Sequence, residues 1–130
     1  MIAVDTNVVL RLVLNDDADQ VAAVQTLMAR EPLFVSLGVL LEAGWVLQSR
    51  YGLSRNDVAD ALSLVASLDR LIVARLPLAL WAIERYRAGA DLADMVHLVS
   101  AAKIGGFATF DRRITREAGP NTPVTIETLA

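Results

Sequence analysis

The chain has 130 residues, 55 % of them hydrophobic, and a formal net charge of −3. This length predicts one domain, 1–130, with enough apolar side chain for a core. Cysteine is absent, which excludes a disulfide, a thiolate nucleophile and a zinc–sulfur site and fits a reducing compartment such as the cytoplasm. The acidic balance counts against extensive contact with a nucleic-acid backbone, but not against an enzyme that holds phosphate through bound cations. It also suits a basic partner segment laid over an acidic cleft. No basic region followed by an apolar signal segment stands at the amino terminus. The most membrane-like stretch, 33–49, carries Glu42 near its middle and two glycines, so no membrane span is expected.

Residues 1–4 read as a buried strand, apolar without alternation, and Asp5-Thr6-Asn7 as its exit. A short helix is predicted over 8–14, with Val8, Val9, Leu12 and Val13 as its apolar face. Asn15-Asp16-Asp17 is a turn. The spacing of Val21, Val24, Leu27 and Met28 predicts a helix over 19–29. Pro32 marks a boundary before a strand at 33–35. Ser36 is suited to cap a helix from 37 to about 51, which Gly52 closes. Ser54 and Asp57 form an acidic capping box for the next helix, whose stripe is Val58, Leu62, Val65 and Leu68. A strand follows at 71–74. Pro77 opens a helix to about 87, ended by Gly89. Asp91 is placed to cap a helix over 92–104, stopped by Gly105-Gly106. A strand at 107–110, a helical turn at 112–117 and a strand at 124–126 complete the order. Strands alternate with helices, which predicts an α/β fold with a mostly parallel sheet covered on both faces.

Ligand sites in such folds lie beyond the carboxyl ends of the strands. Asp5 and Asp111 both stand there. Glu42 interrupts a run of apolar residues that reads as a largely buried helix, where a carboxylate needs a partner; a solvent-facing stripe is the plainer explanation. Asp94 lies in the first turn of its helix, three residues after Asp91, so the two share a face. As plain structure, Asp5 and Asp111 are caps or turn residues, and Asp91 with Asp94 is a capping box. Taken together, Asp5, Glu42, Asp94 and Asp111 form an all-oxygen ligand set for one or two Mg²⁺ or Mn²⁺ ions. Metal-assisted hydrolysis of a phosphodiester needs no histidine or cysteine beyond that.

Thr6, Asn7, Asp91 and Thr109 are candidates for accessory roles. Arg11 and Arg112 are the first candidates for phosphate contacts, since each follows a site carboxylate within a turn or two. Lys103, Arg113 and Arg116 come after them. His97 reads as structural or simply exposed. Trp45, Trp81 and Tyr86 are able to stack nucleobases, but at helical spacing they read as core.

In order and spacing, four segments resemble the PIN-domain family, specifically the VapC-type toxin ribonucleases of toxin–antitoxin modules. They are Val4-Asp5-Thr6-Asn7-Val8-Val9-Leu10-Arg11, Leu40-Leu41-Glu42-Ala43-Gly44-Trp45-Val46-Leu47, Asp91-Leu92-Ala93-Asp94-Met95-Val96-His97 and Thr109-Phe110-Asp111-Arg112. Met95 stands where the family often has alanine. The resemblance implies a three-layer α/β/α sandwich, usually dimeric, with Asp5, Glu42, Asp94 and Asp111 as catalytic metal ligands and Thr6, Asn7 and Thr109 in support. It implies an Mg²⁺- or Mn²⁺-dependent endoribonuclease acting on tRNA or ribosomal RNA, and a small DNA-binding antitoxin that blocks the cleft. The alternatives are a catalytically inactive PIN-fold binding protein and a metal-dependent nuclease acting on DNA or a nucleic-acid structure. A phosphate-accepting signalling domain and a Rossmann cofactor domain are weaker, because the lone Lys103 falls within a helix and no glycine-rich turn follows Val4.

Overall fold

The computed structural model describes residues 1–130, and its chain divides into two compact units, Met1–Leu76 and Pro77–Ala130. The first unit runs β1 (Ile2–Ala3), α1 (Thr6–Leu14), α2 (Ala18–Arg30), β2 (Leu33–Val35), α3 (Leu37–Ser49), α4 (Arg55–Ser67) and β3 (Leu71–Val73). Its strands form one parallel ladder in the order β1-β2-β3, with Ala3 opposite Phe34 and Val35 opposite Val73. Because all three run the same way, their carboxyl ends share one edge, and Asp5 lies just beyond the first.

Leu33 and Val35 of the middle strand are fully buried. Helices α1, α3 and α4 pack on one another through Val9, Leu40, Ala43, Leu47, Val58 and Leu62, all without solvent exposure. Each such leucine contributes roughly 1.5–3 kcal/mol over leaving it exposed. The helix starts follow from local chemistry. Asp5, Asp17, Ser36 and Ser54 each accept a hydrogen bond from the backbone N–H three residues on, which satisfies donors that a helix amino terminus leaves open. Asn15 ends α1 at φ 49°, a left-handed conformation that asparagine tolerates.

The second unit runs α5, which begins at the boundary (Leu76–Arg87), α6 (Leu92–Ser100), β4 (Phe107–Thr109), α7 (Arg113–Ala118) and β5 (Ile126–Thr128). Strands β4 and β5 pair in parallel, Phe107 opposite Ile126. Arg85 of α5 donates through Nε to the Glu117 carbonyl at 2.7 Å, tying α5 to α7. Gly89 sits at φ 121°, out of reach of a residue with a Cβ, and so ends the turn after α5.

The α/β class with parallel strands expected from the sequence is what the structure has. Several boundaries shift by a residue or two, and β1 is exposed where a buried strand is expected; three differences have a clear local cause. Helix α1 starts at Thr6, two residues before the expected start, because Asp5 is its cap. Helix α6 stops at Ser100; the backbone N–H groups of Ala101 and Ala102 turn to carbonyls three residues back, which tightens the chain before Gly105. The last strand is 126–128, not 124–126. Val124 is buried, but its carbonyl accepts from Thr122 Oγ1, and the ladder is joined only from Thr125 onward, whose carbonyl receives the Phe107 N–H. No helix is long and apolar enough to cross a membrane.

Candidate functional site

In the first unit, the sequence candidates gather where the start of α1 meets α3. Asp5 is exposed, with Oδ1 accepting from the Val8 N–H at 3.2 Å. Its second carboxylate oxygen plays no part in the cap. Thr6 is the only buried polar residue, at 8 % exposure. Thr6, Asn7 and Arg11 of α1 and Glu42 of α3 line one cavity of about 380 Å³. Arg11 is held from the other side by Asp16, Nη1 to Oδ1 3.0 Å, and its Nε is buried without a hydrogen-bond acceptor.

Glu42 does not sit in the apolar interior that its neighbours predict. Ala43 and Gly44 are buried, whereas Glu42 faces solvent. Its presence in α3 therefore needs no buried partner, and the solvent-facing stripe is the correct reading of its burial. Trp45, expected as core, is 62 % exposed on the same face, three residues along the helix. Tyr86 is buried as expected.

In the second unit, the remaining candidates form an acidic group. Asp91 caps α6, its Oδ1 accepting from the Asp94 N–H at 3.0 Å. Asp94 is half-buried. Partial burial pushes its carboxyl above the ordinary range, and the like charges of Asp91, Asp111 and Glu117 push it the same way. The exposed imidazole of His97 opposes this weakly. Glu117 was not among the sequence candidates. It arrives from α7, and its Oε2 accepts from the Asp91 N–H at 3.4 Å. Spacing gives no hint of this, since only the tertiary fold brings the end of α7 to the start of α6.

Thr109 acts on Asp111 as a support: its Oγ1 accepts from the Asp111 N–H at 2.9 Å. Asp111 is engaged in turn by Arg113, Nε to Oδ1 3.1 Å and Nη2 to Oδ2 3.0 Å, with the Arg113 N–H on Oδ1 at 2.9 Å. These bonds hold the Asp111 carboxyl below its ordinary range. Arg112 is exposed beside it.

The donors fit a hard divalent cation in kind, all being carboxylate oxygens, and the repulsion around Asp94 is what such a cation relieves. Arg113 is the opposing feature, because it occupies both oxygens of Asp111. No three acidic or histidine side chains stand close enough together to form a metal-binding group.

Parallel ladders, with Asp5 after β1 in one unit and Asp111 after β4 in the other, define an α/β protein. Within that class the chain belongs to the PIN-domain family: the family's profile, PIN domain, matches residues 2–119. PIN domains are in general nucleases and usually use divalent metal ions. No curated protein and no solved structure matches the chain.

Proposed function

We propose that the chain is a single-domain, metal-dependent endoribonuclease, the VapC-type toxin of a toxin–antitoxin module, acting in the cytoplasm on tRNA or ribosomal RNA. The observation that carries this reading is that the PIN match over residues 2–119 contains all four carboxylates, Asp5, Glu42, Asp94 and Asp111. In this reading they are the ligands of one or two Mg²⁺ or Mn²⁺ ions. When bound, the cation lowers the pKa of water and offsets charge on the phosphate oxygens.

The chain's own residues prepare that chemistry. Asp5 is fixed by its cap bond to Val8. Asp94 is oriented by the Asp91 cap, and Thr109 sets the backbone of Asp111. Arg11 and Arg112 meet the phosphates. Asn7, on the wall that Glu42 shares, offers its amide to the substrate. A second copy of the chain and a small DNA-binding antitoxin with a basic segment are the expected partners; the net charge of −3 suits the latter.

Cleavage of purified tRNA pools by the isolated protein tests this reading, with Mg²⁺, Mn²⁺ and EDTA compared and Asp5→Asn and Asp94→Asn purified in parallel. Discrete fragments that require metal and fall by more than about 100-fold in both folded variants are expected, since loss of even an outer-shell partner costs roughly 10–100-fold. Cleavage unchanged in the variants contradicts it.

A further inference from the structure

We propose that Trp45, Tyr51 and Arg50, together with Arg11, form a subsite for one unpaired nucleotide of the RNA, beside Glu42. This rests on the nuclease reading above and specifies its substrate side. Three observations on one surface lead to it. Trp45 and Tyr51 are 62 % and 44 % exposed, an unfavourable placement for large rings unless something covers them. Both line the cavity of about 380 Å³ that also holds Glu42. Arg11 and the exposed Arg50 line it too. Guanidinium groups make charge-assisted hydrogen bonds to phosphate oxygens.

Helix geometry fixes the arrangement. Glu42, Trp45 and Val46 recur at three and four residues and share a face of α3. Ser49 Oγ donates to the Trp45 carbonyl at 2.7 Å, α3 ends at Ser49, and Arg50 and Tyr51 follow directly. From the α1 side, Asn7 and Arg11 are one helical turn apart and look onto the same space. Aromatic faces beside guanidinium groups bind a single strand by stacking a base while neutralising its phosphate. A duplex keeps its bases stacked internally, so this subsite accepts an unpaired nucleotide and discriminates against a continuous helix.

The experiment is binding of fluorescein-labelled single-stranded RNA to the intact protein in EDTA, followed by anisotropy and by quenching of tryptophan emission. Duplex RNA and a strand with its bases removed serve as comparisons. Trp45→Ala is expected to weaken single-strand binding by roughly 5–150-fold, the range of one lost base–aromatic stack. Trp45→Phe is expected to retain most of the affinity and to lose the quenching. Arg50→Ala is expected to flatten the dependence of log K on log salt by about 0.7, one single-strand phosphate. The abasic strand is expected to bind wild type and Trp45→Ala alike. Wild-type affinity in folded Trp45→Ala, equal affinity for normal and abasic strands, or no binding by the wild type each overturns the subsite. Metal-dependent cleavage measured on the same preparations separates the two readings. Cleavage that persists while these results fail leaves the nuclease standing, and binding as expected without cleavage in metal refutes the nuclease alone.

Discussion

Asp111 and Asp94 carry opposite perturbations, and each makes a separate prediction. Arg113 holds Asp111 by side-chain and backbone hydrogen bonds and lowers its carboxyl pKa. Arg113→Ala returns that pKa toward its ordinary value, which carboxyl NMR titration reads directly. At neutral pH Asp111 stays ionised in both proteins, but in the variant it is unpaired. Mn²⁺ binding is expected to be modestly tighter in Arg113→Ala, because the Asp111 carboxylate no longer has to release Arg113; unchanged or weaker binding would contradict this.

For Asp94 the sign is reversed. Its raised pKa means that the folded state binds the proton more tightly than the unfolded chain. Ionisation therefore costs stability, fully so above the folded pKa, and the cost fades as pH falls through it toward the ordinary value of 3.8. Asp94→Asn should raise the Tm of the metal-free protein at pH 7, with the gain shrinking toward pH 4. Saturating Mg²⁺ should narrow or reverse the difference, because the wild type gains more, about 2.7 kcal/mol at one hundred times its Kd. A lower Tm for the variant without metal would contradict the assignment of Asp94 as a strained carboxylate.

At the scale of elements, the caps made most of the boundaries legible. Ser36, Ser54 and Asp91 each start the helix that the sequence assigns them, because a short polar side chain before an apolar run has one good use there. The facing of α3 was not legible. Its sequence is apolar nearly all round, so periodicity does not say which side meets solvent. Only packing against α1 and α4 settles it, burying Leu40, Ala43 and Leu47 and leaving Glu42 and Trp45 outside. This division predicts unequal effects within one helix. Leu40→Ala should cost about 2–5 kcal/mol in denaturant unfolding, and Trp45→Ala no more than about 0.5 kcal/mol. A comparable loss at Trp45 would mean that its ring is packed. The final strand was misplaced for a related reason: Val124 is apolar and buried without belonging to a ladder.

At the scale of the molecule, the PIN match runs through both units, and two of the four proposed ligands lie in each. The parallel strands, and the placing of Asp5 and Asp111 after β1 and β4, were legible from strand order alone. Glu117 and the hold of Arg113 on Asp111 were not, since both depend on how α7 folds back. The central proposal is that Asp5 and Asp94 each act as a metal ligand. Its most direct test is Mn²⁺ binding followed by electron paramagnetic resonance, on wild type and on Asp5→Asn and Asp94→Asn separately. Affinity reduced by about tenfold or more in both folded variants is the predicted result. Unchanged affinity in either one contradicts the claim.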